Sequence, residues 1–129
     1  EHVARGKAAF LSKGCSKCHG EDGRGQVQDE KWTDAWGFPT RAADITSGML
    51  HGGDRPLDIY RRIYSGINGT PMPSFASVYE QEPNGIWDLV AFVLSTSNGR
   101  RSGDMPPPRP VSPYVPSKDA VPAASKETP

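Results

Sequence analysis

Cysteine is scarce in this chain. Its 129 residues hold two, Cys15 and Cys18, together with three histidines, His2, His19 and His51. A structural zinc site needs four ligands, and neither His2 nor His51 stands in a closely spaced histidine pair, so zinc is a poor reading of the two cysteines. A thioredoxin-like dithiol would want strands and β-branched runs around the cysteines, whereas the flanks are rich in Gly, Lys and Ala. No apolar run approaches the roughly eighteen residues of a membrane span, the longest being Leu89 to Leu94. The start carries no charged, apolar, small-residue leader and Glu1 opens directly onto a helical pattern, as in a processed protein or an excised domain. Neither sign of charge is in excess: 15 Lys and Arg meet 15 Asp and Glu, so neither nucleic acid nor an anionic membrane is favoured as a partner. No segment sustains an alternation of period two, which leaves an all-α domain.

Proline, by contrast, is concentrated at one end. Eight of the 13 prolines lie between Met105 and Pro129. Such a stretch cannot sustain a helix or a central strand, and residues 105–129 are expected to form an extended tail or linker. The folded domain is then residues 1–104. With 35% hydrophobic residues its core is thin, and burial of a large flat apolar ligand would stabilise it.

What is present is Cys15-Ser16-Lys17-Cys18-His19, the spacing that attaches a c-type haem covalently. Two thiols three positions apart can reach the two vinyl groups on one porphyrin edge, and the following imidazole can meet the iron from one face. Both cysteines are consumed by that attachment, so the lack of a disulfide says nothing about compartment. The later Gly23-x-Gly25 follows no strand and fits no phosphate-binding fingerprint.

Three helices frame the motif. Residues 2–13 place Val3, Gly6, Ala9 and Phe10 at helical spacing, with Gly14 to stop them. Residues 20–53 read mostly as loop. Asp54 as cap and Pro56 in the first turn open a second helix, whose Ile59, Tyr60, Ile63 and Tyr64 read as core. A third spans about 85–97, with Ile86, Leu89, Val90, Val93 and Leu94 buried, Trp87 and Phe92 sealing one end of the core, and Asn98-Gly99 as terminator.

Between the second and third helices stands Gly69-Thr70-Pro71-Met72-Pro73-Ser74-Phe75. Each proline fixes its own φ and biases the residue before it toward extended geometry, so Met72 is held at a set angle. A thioether so held can ligate haem iron opposite His19, and Met/His coordination raises the reduction potential. Met49, near glycine-rich loop, and Met105, at the mouth of the tail, are less suited.

Over about residues 2–97 the chain resembles the small class I c-type cytochromes of bacteria. The resemblance rests on the Gly6/Phe10 helix, Cys15 to Gly20, Gly69 to Phe75, and the closing Trp87-Asp-Leu89-Val-Ala-Phe92-Val. It implies the small cytochrome c fold, with three main helices and loops around one covalent haem, and a crossing of Gly6 and Phe10 against Leu89 and Phe92. It implies haem c through Cys15 and Cys18, iron ligated by His19 and Met72, and assembly in the periplasm or elsewhere outside the cytoplasm. It also implies a proline carbonyl accepting a hydrogen bond from His19, for which Pro39 is the candidate, and Arg41 or Trp36 at a haem propionate.

With both axial positions filled, the expected chemistry is one-electron exchange with redox protein partners, and not catalysis. Lys13, Lys17, Arg24 and Lys31 alternate with Glu21, Asp22, Asp29 and Glu30, so strong electrostatic steering is not expected. Two other roles share this pattern. One is a haem domain or subunit of a larger oxidoreductase with the tail as docking strap; the other is a sensor or peroxidase with an open iron site.

Overall fold

A computed structural model of the chain describes residues 1–25 and 32–104. Residues 26–31, with Asp29, Glu30 and Lys31, and residues 105–129, with the expected proline tail and Met105, lie outside the described residues.

The sequence stripe around Gly6 and Phe10 becomes the buried face of α1 (His2–Ser12). It crosses the last helix, α4 (Gly85–Ser102), at very short range. A Cβ on Gly6 would sit 2.0 Å from the Asp88 carbonyl oxygen and 2.8 Å from the Phe92 Cβ, so only glycine lets the two backbones approach this closely. One turn on, the Phe10 and Phe92 rings meet tilted, with centroids 5.1 Å apart. The same crossing is clamped at the surface. Arg5 Nε and Nη2 donate to the two Asp88 carboxylate oxygens at 2.8 and 3.1 Å, and His2 Nδ1 lies 2.6 Å from Oδ1.

Along α4 the buried positions are Ile86, Leu89, Val90, Phe92, Val93 and Ser97. Helix α3 (Pro56–Ser65) begins with Pro56 after Arg55 and presents Ile59 and Ile63 to the same core. Ile45 from the long loop and Tyr79 from a 3-10 turn (Ser77–Tyr79) complete it. Among the described residues there is no strand, only an isolated bridge between Thr33 and Pro39. None of the helices described is long and apolar enough to cross a membrane.

Four expectations need correction. Asn98-Gly99 does not end α4, which continues to Ser102. The propensity cost of an interior glycine, about 1 kcal/mol, is offset by contacts of that last stretch: Ser97 Oγ donates to the Ile45 carbonyl at 2.7 Å and Arg101 to that of Gly48. The N-cap of α3 is Arg55 and not Asp54, which lies 3.9 Å from Arg101. Tyr64 is exposed, whereas Tyr60 is half-buried against the core; the two rings stack, and Tyr60 also stacks on Trp87 at 4.6 Å. Trp87, 42% exposed, therefore covers α3 from outside, and only Phe92 fills the core.

Two outcomes follow from the crossing. Gly6→Ala should destabilise the protein by about 1–3 kcal/mol in urea unfolding, the cost of overpacking, although helix propensity alone would stabilise it. The Arg5 guanidinium, and after it His2, holds the Asp88 carboxyl below the usual carboxylate range. A depressed folded value contributes stability above the unfolded pKa of about 4 and loses it as pH falls through the folded value. Asp88→Asn should accordingly be less stable than wild type near neutrality and should lose less stability as the pH falls below about 4, as followed by urea midpoints against pH.

Candidate haem-binding site

α1 closes with the Lys13 amide on the Ala9 carbonyl, and the chain turns at Gly14 into α2 (Ser16–His19). This single turn was not anticipated within the motif. It is closed by the His19 amide on the Cys15 carbonyl at 3.0 Å and by Gly20 on Ser16 at 2.9 Å. Helical spacing puts Cys15 and Cys18 on one side of the turn, with His19 beside Cys15. Both sulfurs are half-buried, and burial pushes the Cys15 thiol up.

His19 packs near Phe10, with ring centroids 6.3 Å apart, and its Nδ1 lies 2.9 Å from the Ala43 carbonyl oxygen. A carbonyl only accepts, so Nδ1 carries the proton and Nε2 is left with its lone pair. The acceptor is thus Ala43 and not Pro39. Pro39 is exposed, and the bridge that pairs it with Thr33, together with the Thr40 amide on the Trp32 carbonyl at 3.0 Å, commits its stretch to a local turn.

Met72 is half-buried against the core. Its loop is pinned from several sides: the Ile67 amide donates to the Met72 carbonyl at 3.3 Å, Phe75 to Ile63 at 3.1 Å, and Ala35 to Gly69 at 2.9 Å. Ser74 Oγ donates to the Tyr64 carbonyl at 2.6 Å, tying the loop to the end of α3. Trp36, 77% exposed, lies with its ring edge over Gly69 and so braces this loop from outside. Arg41 is exposed, two residues before Ala43.

Tyr79 was missed by the sequence reading. It is 3% exposed, and its hydroxyl has no hydrogen-bond partner among the described residues. Burial, and after it the neighbouring Cys15, pushes its pKa up to about 12. No periodicity or motif marks it in the sequence. Ala43 was equally illegible, because a backbone carbonyl has no side-chain signature.

The donor set fits haem c: two thiols at i and i+3, an imidazole oriented through its remote nitrogen, a thioether on a proline-fixed loop, and a buried unmet hydroxyl beside one thiol. No three His, Cys, Asp or Glu side chains among the described residues gather as a site for a bare metal ion.

The chain matches the Cytochrome c family over residues 3–97. It is also similar to a solved chain from a Kuenenia stuttgartiensis reducing HAO-like protein complex, with 40% identity and a TM-score of 0.66. That likeness covers 74% of this chain and 43% of the other, so the matched region spans less than half of the chain it resembles. No curated protein matches the sequence. A family match across residues 3–97, on helices that cross and a turn that carries Cys15, Cys18 and His19, makes this chain a member of the cytochrome c family, the haem-binding carriers of electron transport.

Proposed function

We propose that the chain holds one haem c, bound covalently through Cys15 and Cys18, ligated by His19 and Met72, and passes single electrons between redox protein partners outside the cytoplasm. The observation that carries this reading is the bond of His19 Nδ1 to the Ala43 carbonyl at 2.9 Å. It fixes the tautomer whose free Nε2 is an iron ligand, orients the ring, and makes that nitrogen a better donor. Met72 supports it from the other side, since its loop is held by bonds from Ile67, Phe75 and Ala35.

Bound at this place, a haem supplies reversible one-electron exchange at iron. The residues around it limit it to that. His19 and Met72 together leave no position for oxygen or substrate, and the methionine thioether favours the reduced state, raising the potential. Pinned loops keep both ligands in place through oxidation and reduction, so little rearrangement opposes transfer. Arg41, next to the loop that meets His19, is assigned to a haem propionate, for which a guanidinium offers a bidentate partner.

Service within a larger oxidoreductase assembly is favoured over a free shuttle. The support is the 40% identity to a chain of a reducing HAO-like complex, more than half of which lies beyond the matched region. Material purified from the native source should elute in size exclusion with a larger partner, and elution as a single polypeptide species with no partner chain would instead establish the free carrier. Met72→Ala tests the ligation. It should lower the potential by a sizeable part of the about 0.8 V that axial ligands span, abolish the weak red-end band of methionine-bound ferric haem, and open ferrous iron to carbon monoxide. An unchanged spectrum would assign the sixth ligand elsewhere.

A further inference from the structure

The carbonyl on His19 belongs to a loop that α4 holds from behind. Two residues beyond Ala43, the Ile45 amide donates to the Gly23 carbonyl at 2.9 Å, and the Ile45 carbonyl accepts from Ser97 Oγ at 2.7 Å. Between them the Asp44 carboxylate accepts from the Thr46 amide at 2.8 Å and from Thr46 Oγ1 at 2.6 Å, closing a tight turn. Thr46 is 0% and Ser97 4% exposed, so these bonds are made away from water. On the opposite side, a Cβ at Gly25 would lie 2.3 Å from the Ala42 carbonyl oxygen and 3.0 Å from that of Ala43, and Gly25 itself donates to the His19 carbonyl at 2.7 Å. The 42–46 segment is therefore gripped between the loop following the haem motif and the C-terminal half of α4.

We infer that Ser97 is a positioning residue for the iron ligand: through Ile45 it holds the Ala43 carbonyl on His19 Nδ1 and thereby sets the reduction potential. This rests on His19 being an iron ligand. A strong bond from Nδ1–H to the carbonyl raises the electron density that Nε2 offers, which favours ferric iron and lowers the potential. Removing the Ser97 hydroxyl leaves the Ile45 carbonyl unsatisfied in a buried place. The segment then relaxes, the bond on His19 weakens, and the potential moves up. Ser97 thus works against the upward pull of Met72, so that the midpoint is set by residues on two different elements.

The test uses the full chain with its haem, as wild type, Ser97→Ala, Ser97→Thr and Ser97→Cys. Wild-type spectra come first: absence of a His-ligated haem sinks the ligation reading and this inference with it. Given that ligation, Ser97→Ala should shift the midpoint potential positive. The His19 Nδ1 proton and the Ile45 amide should exchange with solvent roughly three- to tenfold faster, the weight of one hydrogen bond. Ser97→Thr, which keeps the hydroxyl, should restore both. A Ser97→Ala protein that melts earlier but keeps the wild-type potential and ring-proton exchange would reduce Ser97 to a structural residue and overturn the inference. Should the alanine variant fail to fold, Ser97→Cys, similar in size and a weaker donor, decides the question: an intermediate positive shift supports the role, and an unmoved potential refutes it.

Discussion

The backbone of α1 rests directly on that of α4, with nothing but the hydrogen of Gly6 between them and the Asp88 carbonyl. From this contact the rest takes its position. It brings Phe10 onto Phe92, and Phe10 in turn lies beside His19, so the helix crossing and the imidazole share one aromatic wall. It also fixes where α1 ends, and α2, with Cys15 as its N-cap and Cys18 within it, begins only four residues after Ser12. A small domain with a thin core thus converts one close approach into the placement of three functional side chains.

The second half of the site depends on loops, and here hydrogen bonds do what apolar burial does in the helices. The Met72 loop is tied to α3 through Ser74 and Phe75 and to the 32–40 loop through Ala35. The 42–46 loop is tied to the motif through Gly23 and to α4 through Ser97. Electron transfer rewards such bracing, because a ligand that moves between oxidation states adds to the barrier. Polar groups buried at Thr46 and Ser97 in an otherwise apolar core are accounted for by the same need.

Much of this was legible in the residues. Cys15, Cys18 and His19 announce themselves by spacing, Gly6 and Phe10 by period, and Met72 by its two prolines. What was not legible involved groups without a side-chain signature or contacts distant in sequence. The acceptor for His19 is a carbonyl, and choosing Ala43 over Pro39 required knowing how the loop after residue 31 folds back. The extension of α4 past Gly99 reflects Ser97 and Arg101 reaching loop carbonyls some fifty residues earlier, a tertiary gain that local propensity does not contain. Tyr64 and Trp87 sit at helical spacings suited to a core, yet Ile59, Ile63 and Ile86 take the buried positions and leave these two rings exposed, each stacked on the half-buried Tyr60.

Closure of the haem on both faces, by His19 and Met72, is what would separate an electron carrier from a sensor or peroxidase. Spectroelectrochemical titration of the haem-loaded wild-type chain, with and without carbon monoxide, tests it most directly. Closure by His19 and Met72 predicts a single one-electron transition at a positive potential whose midpoint carbon monoxide leaves unchanged. A midpoint displaced upward by carbon monoxide, with the spectrum of a gas-bound ferrous haem, would show an open iron position and contradict it.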